Sequence, residues 1–340
     1  MRKIKVLVVE DSLVFRKLLV DNLNKDSAIE VVATASDPYE ARDMILEYHP
    51  DVMTLDIELP KMDGIKFIRK LLPQYPIPVL MLSSLSDRVF DALAAGAVDF
   101  VAKPRTTDRS ELEYFLTTEL PFKIKIASTA SLSNIKKNVA ASNALNTRKT
   151  SERVIAIGAS TGGTEAIAKV IAEFGPDTPG TVIVQHMPKG FTDMYAKRLN
   201  DRFAVNVKEA KHGDVVETGT VFIAPGGDDQ MRLKKVGDTY QIDLRPGERV
   251  SGHCPSVDVL FESVAKAAGS NAIGIILTGM GADGSKGLLK MREAGALTIG
   301  QDESTCVVYG MPKVAYELGA VMYQERLENI AGRTYALLKG

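Results

Sequence analysis

The sequence predicts an α/β protein built as two units, each a mostly parallel sheet covered by helices on both faces. Three observations carry this. Short apolar strand signals alternate with helical periodicity from Ile4 to Ala102, and the alternation resumes at Val154. Between them, from about residue 123, both periods are lost in small and amide residues such as Ser128-Thr-Ala-Ser-Leu-Ser-Asn134. At 340 residues the chain can hold about two domains that each bury a core. The expected divisions are residues 1–122, a flexible linker over 123–152, and a second domain over 153–340.

Composition narrows the class. Hydrophobic residues at 45% with 25% charged are ordinary for globular protein. A formal net charge of −1 gives no bulk electrostatic reason to expect nucleic acid or an anionic membrane as partner. No helix-turn-helix or basic reading helix is evident either. Cys254 and Cys306 are the only cysteines, too few for a disulfide framework and wrongly spaced for structural zinc. The run Val6-Leu-Val-Val9 is cut short by Glu10-Asp11, and no stretch reaches the roughly 18 apolar residues of a spanning helix. A cytoplasmic monomer without membrane insertion is expected.

In the first unit, strands are predicted over 4–9, 30–34, 52–57, 79–83 and 99–102, with helices over 15–23, 39–48, 65–72 and 88–95 between them. Chemistry in such sheets collects at the carboxyl ends of the strands. Those ends carry Glu10 and Asp11, Asp56, Ser83 and Ser84, and Lys103. Three carboxylates suit a hard cation such as Mg2+. Asp56 can then attack a phosphoryl group while the metal and Lys103 offset charge on its oxygens, and the Ser83 hydroxyl can sense the product. The competing reading is that strand-end acids only cap helices, as Asp11 could for the next one.

This constellation resembles the response-regulator receiver family. The resemblance implies a flavodoxin-like sheet in the order 2-1-3-4-5, with Glu10 and Asp11 as the acid pair, Asp56 as phosphoacceptor and Ser83, Phe100 and Lys103 as the switch positions. It implies Mg2+ held by Glu10, Asp11 and Asp56. It also implies an external phosphodonor, a histidine kinase, because the chain has no Walker or kinase signature of its own.

The connector holds Lys123, Lys125, Lys136, Lys137, Arg148, Lys149 and Arg153 against the single acid Glu152. These bases either only solvate it or attract an acidic partner.

In the second unit, the strand Val154-Ile-Ala-Ile runs into Gly158-Ala-Ser-Thr-Gly162, a G-x-S-x-G turn, and a helix follows from Thr164. A turn this sharp lifts Ser160 from the backbone as a presented nucleophile. The same residues also read as a phosphate-cradling turn, since Gly158-x-Ser160-x-x-Gly163 approximates a dinucleotide fingerprint. Val182-Ile-Val-Gln is a strand whose exit carries His186, and Ile273-Gly-Ile-Ile-Leu-Thr leads to Asp283 within Gly279-Met-Gly-Ala-Asp-Gly284. Residues 221–227, 230–236 and 239–244 read as short antiparallel strands, the last two joined by Gly237-Asp238. A helix starts at Pro255, and strand, loop and helix run from Leu297 to Met311-Pro312.

Serine, histidine and aspartate at strand ends of one sheet are the parts of a proton-relayed nucleophile. Their order, Ser160, His186, Asp283, differs from the α/β-hydrolase order of serine, acid, histidine. The dinucleotide reading weakens too, because the second strand ends in Gln185-His186 and not in an acid. His253 reads only as a loop histidine before Pro255.

Gly158–Gly163, Gln185-His-Met-Pro188, Ala224-Pro-Gly226, Pro255-Ser-Val-Asp258, Leu277–Gly284, Gln301-Asp-Glu303 and Gly310-Met-Pro312 together resemble the chemotaxis-specific protein-glutamate methylesterase family. The resemblance implies Ser160, His186 and Asp283 as a catalytic triad, no cofactor in this unit, and the backbone at Thr161 and Met280 as oxyanion donors. It implies hydrolysis of glutamate γ-methyl esters and deamidation of some glutamines on methyl-accepting chemoreceptors, with a chemotaxis histidine kinase as phosphodonor. Fusion to a receiver predicts that the unphosphorylated first unit occludes the cleft and that phosphorylation of Asp56 relieves this. Two other classes stay open on sequence alone: an adaptor whose second domain is catalytically idle, and a receiver-controlled NAD-dependent enzyme.

Overall fold

A computed structural model of the chain describes residues 2–104, 108–132 and 153–339. These divide into two compact units, one within Met1–Lys137 and the other within Asn138–Gly340.

The first unit alternates as its periodicity requires: β1 (Ile4–Val9), α1 (Leu13–Leu23), β2 (Ile29–Ala35), α2 (Pro38–Tyr48), β3 (Val52–Asp56), α3 (Gly64–Leu71), β4 (Val79–Ser83), α4 (Arg88–Ala94) and β5 (Asp99–Ala102). The sheet is parallel in the order β2-β1-β3-β4-β5. Its central strands are buried on both faces, which is why β4 is apolar up to its closing Ser83 and β3 is broken only by Thr54 before its closing Asp56. Local signals start the helices. The Ser12 hydroxyl accepts from the Phe15 amide, and the Asp37 carboxylate accepts from Tyr39 and Glu40 with Pro38 in the first turn.

Beyond β5, α5 (Arg109–Tyr114), a wider π-helical turn over Phe115–Glu119 and α6 (Leu120–Ala127) form one helical run. It passes residue 122, where the sequence pattern ended the unit. The reason is tertiary: Ile124, Ile126 and Ala127 are buried, while Lys123 and Lys125 pair with Asp99 and Asp26, each at 2.6 Å. Those two linker bases therefore have acidic partners inside their own unit. The rest of the expected linker from 133 to 152, with Lys136, Lys137, Arg148 and Lys149, lies outside the described residues.

In the second unit β6 (Val154–Ala159), α7 (Gly163–Ile171), β7 (Thr181–Gln185), α8 (Phe191–Arg202), β8 (Asn206–Glu209) and β9 (Thr220–Ile223) come first. A hairpin follows, β10 (Asp229–Val236) and β11 (Thr239–Pro246), and then α9 (Val257–Ala268), β12 (Ala272–Ile276), α10 (Ser285–Glu293), β13 (Leu297–Gln301), α11 (Met311–Glu317), β14 (Tyr323–Glu325) and α12 (Ile330–Lys339). The main sheet is parallel throughout, ordered β14-β13-β12-β6-β7-β9-β8. From β6 the chain builds outward through β7 to β9 and β8, then crosses back to β12, β13 and β14. Strand order thus reverses between β6 and β12, and the crevice at their carboxyl ends is where such sheets bind ligands.

Two readings of this unit change. Residues 221–227 were expected to form an antiparallel strand, yet the strand there, β9, pairs in parallel with both β7 and β8; all four of its residues are buried, the mark of a strand covered on both faces. The antiparallel part is confined to β10 and β11, joined through Gly237 at φ 57°. Helix α8 escaped notice because it is polar overall. Only Phe191, Thr192, Tyr195, Ala196 and Leu199 face inward. No helix among the described residues is long and apolar enough to cross a membrane.

Candidate active site

Ser160 follows the last residue of β6 and is 8% exposed. Gly162 turns the chain into α7 at φ 77°, a conformation that favours glycine. The turn is braced from three directions. The Ser160 amide donates to the Thr278 carbonyl at 3.0 Å, and the Ser160 carbonyl accepts from the Gly163 amide at 2.7 Å and from Gln185 Nε2 at 3.0 Å. Gln185 Nε2 also donates to the His186 carbonyl at 3.1 Å. Ala159 and Gln185 are register partners, so residues 160 and 186 leave neighbouring strands roughly 5 Å apart. Gly279 closes the other side: a Cβ there would stand 2.7 Å from Ser160 Cβ and 2.4 Å from Met311 Sδ.

Asp283 is brought from 97 residues further on to meet His186, whose Nε2–H donates to its Oδ2 at 2.7 Å. The same carboxylate receives the start of α9. Oδ2 also accepts from the Val257 amide at 2.8 Å, while Oδ1 accepts from the Ser256 hydroxyl at 2.7 Å and the Asp258 amide at 3.0 Å. Burial alone would push the Asp283 carboxyl up. The His186 bond, helped by Asp258 and Ser256, outweighs it and holds the group below its ordinary value of 3.8. The positive end of α9 adds to this preference for the anion.

With its proton on Nε2, His186 presents Nδ1 as the acceptor. Nδ1 is buried and has no hydrogen-bond partner among the described residues. In the chymotrypsin arrangement Nδ1 faces the carboxylate and Nε2 the serine; here the ring is turned the other way. The structure brings His186 and Asp283 into contact and puts the backbone of Ser160 on the adjoining strand end, with no hydrogen bond between its hydroxyl and the His186 ring among the described residues. Near the proposed oxyanion positions, the Thr161 carbonyl accepts from Thr278 Oγ1 at 3.0 Å, and Met280 directly follows the glycine packed on Ser160.

His253 carries no sign in the sequence of the place it takes in the fold. Its ring lies flat on that of His186, centroids 3.6 Å apart and planes within 9°. No local pattern signals this, because the stack joins a strand exit to a turn 67 residues away.

In the first unit, Lys103 Nζ donates to Glu10 Oε2 at 2.8 Å and to Asp56 Oδ2 at 2.5 Å, and sits 5.2 Å from the Phe15 ring centroid. Oxygens of Glu10, Asp11 and Asp56 lie within 4.8 Å of one another. Burial pushes the Glu10 and Asp56 carboxyls up, against the Lys103 bonds that pull them down. For Lys103, burial would lower the ammonium, but its bonds to Asp56 and Glu10 outweigh that and raise it. The Ser83 hydroxyl donates to the Ser84 carbonyl at 2.7 Å and not to Asp56. Phe100 is buried within β5.

A sheet whose strand ends carry two buried carboxylates, an exposed third and a lysine, in one chain with a second sheet that has a serine on the strand end next to a His–Asp pair, defines the class: a hydrolase-type domain together with a receiver. Comparison with known proteins agrees. Residues 6–113 match the response regulator receiver domain model and residues 155–334 match the model of CheB methylesterase. A protein-glutamate methylesterase/protein-glutamine glutaminase of Syntrophomonas wolfei is 59% identical, covering 99% of this chain and 98% of its own length. One from Syntrophotalea carbinolica is 51% identical, again over 99% and 98%. Among solved structures, the CheB methylesterase catalytic domain of Thermotoga maritima is 37% identical, with a TM-score of 0.52 over 55% of this chain and 97% of that one. The chain belongs to the CheB methylesterase family, in a form that carries an N-terminal receiver domain.

Proposed function

We propose that this chain hydrolyses glutamate γ-methyl esters, and deamidates some glutamines, on methyl-accepting chemoreceptors, with Ser160, His186 and Asp283 performing the chemistry and Asp56 controlling it. The observation that carries the assignment is the His186–Asp283 pair beside Ser160, with an unpartnered Nδ1 left to take a proton.

Ser160 Oγ attacks the ester carbonyl carbon as its proton passes to His186 Nδ1. Asp283 holds the ring and stabilises the imidazolium that forms. The tetrahedral oxyanion is met by backbone N–H groups at Thr161 and Met280. Collapse breaks the bond to the methoxy group, which leaves as methanol with the proton from Nδ1. Water then adds to the acyl-serine, giving its proton to Nδ1, and Ser160 departs taking that proton from Nδ1, which restores the enzyme and frees the glutamate. A glutamine side chain follows the same route with ammonia as the leaving group.

In the receiver, three carboxylates face one ammonium, and burial disfavours charge on two of them. That excess of negative oxygen ligands fits a divalent cation such as Mg2+, which Glu10, Asp11 and Asp56 would hold. Bound there, the cation would draw charge from the oxygens of a transferring phosphoryl group. Asp56 accepts that group from a histidine kinase, and Lys103, already bonded to Asp56, stays within reach of the product. Ser83 and Phe100 serve as switch residues, Ser83 by exchanging its bond to the Ser84 carbonyl for one to the phosphoryl group.

The test is methanol release from receptor membranes carrying labelled methyl groups. Ser160→Ala and His186→Ala are expected to lose it by several orders of magnitude; activity retained by either removes the assignment. The adaptor reading has no observation of its own in its favour, and the same assay would expose it.

A further inference from the structure

Among the described residues the His186 ring is held in plane by one hydrogen bond, that to Asp283, since Nδ1 must stay open. A single bond to one ring edge leaves the imidazole able to rock about the line through that bond. Rocking swings Nδ1 away from the serine, and misplacement on the order of 1 Å costs about a hundredfold in rate. The His253 ring blocks that motion from one side, lying 3.6 Å away and within 9° of parallel.

His253 is itself fixed. Its amide donates to the Val250 carbonyl at 2.9 Å and its carbonyl accepts from the Val250 amide at 3.0 Å, closing a tight turn. The two residues between, Ser251 at φ 52° and Gly252 at φ 85°, both have the positive φ of a primed turn. Gln230, 1% exposed, ties the stretch from inside: Nε2 donates to the carbonyls of Glu248 and His253, and Oε1 accepts from the Ser256 amide. Three residues after His253 the same segment begins gripping Asp283 through Ser256, Val257 and Asp258.

We propose that His253 is a positioning residue: its ring, stacked on His186, holds the catalytic imidazole in the plane from which Nδ1 takes the Ser160 proton during turnover. Residues 253–258 then act as one clamp on the pair, with the ring on the base and the helix start on the acid. His253 exchanges no proton with substrate in this role. The inference rests on His186 being the general base.

The experiment uses the full-length protein with methyl-labelled receptor membranes and three variants, His253→Ala, His253→Leu and His253→Phe. An aromatic stack of this kind gives a loss of roughly three- to tenfold in kcat. The Ala and Leu variants should show it with KM unchanged, and Phe should rescue kcat by restoring a flat ring. A second readout is the far-downfield proton resonance of the His186–Asp283 bond. It should stay sharp in wild type and the Phe variant and broaden with Ala or Leu as the ring gains freedom. Leu matching wild type would overturn the inference, because filling the space would then suffice; Phe falling with Leu would overturn it too, because a flat ring would not. If the Ala variant fails to fold, the Leu and Phe pair decides. If His186→Ala is inactive and the His253 variants behave as wild type, this inference alone fails. An active His186→Ala would remove the triad reading beneath it.

Discussion

Replacing Asp283 by asparagine tests the hydrogen-bond polarity of the site atom by atom. Each carboxylate oxygen takes two donors: Oδ2 from His186 Nε2 and Val257, Oδ1 from Ser256 and Asp258. An asparagine has one acceptor and one donor group, so no orientation serves all four. With the amide nitrogen toward His186, it opposes the Val257 amide, which cannot reverse, and Nε2 must give up its proton and accept. The proton then sits on Nδ1, where it blocks removal of the Ser160 proton. With the nitrogen on the other side, it opposes the Asp258 amide, which cannot reverse. A wrong-tautomer substitution of this type lowers kcat by about 10⁴, which is about 5 kcal/mol at the barrier. Stability falls as well. One backbone amide left without an acceptor costs about 1–3 kcal/mol, and loss of a negative charge at the start of α9 adds about 0.3–2 kcal/mol. Single-turnover methanol release measures the first effect, and the denaturation midpoint of the catalytic domain within the full chain measures the second. An Asp283→Asn protein within tenfold of wild-type kcat would refute the reasoning.

Three further outcomes are expected. The stability advantage of wild type over Asp283→Asn should depend on pH. Because the folded carboxyl titrates below its ordinary 3.8, the unfolded chain protonates first; the advantage is full above that range and is lost as pH falls through the folded pKa. Denaturation midpoints of both proteins from neutral pH down to about 3 check this, and a difference that grows on acidification contradicts it. Gly279→Ala should lower kcat by roughly a hundredfold with modest effect on stability. Its Cβ would sit 2.4 Å from Met311 Sδ and 2.7 Å from Ser160 Cβ, where real contacts stay beyond 3.0 Å, so the nucleophile is displaced. Normal turnover in that variant would mean Ser160 is not where the chemistry occurs. Finally, Asp56→Asn should take up no phosphoryl group from acetyl phosphate with Mg2+, and its esterase activity should not respond to that donor. A response equal to wild type would take the switch away from Asp56.

The α/β class, the alternation of elements and the residues that close each strand were legible in the amino-acid sequence. These features are local. Strand and helix periods, Asp and Ser caps, and a glycine-flanked turn are written within a few consecutive residues, so Glu10, Asp56, Lys103, Ser160, His186 and Asp283 could be located as strand-end groups. Their resemblance to known motifs then supplied expected roles. Features that depend on partners far apart in the chain were not legible there. Nothing near His186 tells which ring nitrogen meets Asp283, since that follows from how α9 and the loop after β12 converge on one carboxylate. Nor does the flanking of His253 distinguish a loop residue from a ring laid on the base. The parallel pairing of β9 and the run of α6 past residue 122 were hidden for a like reason: both are set by burial against distant residues, which outweighs weak local preference.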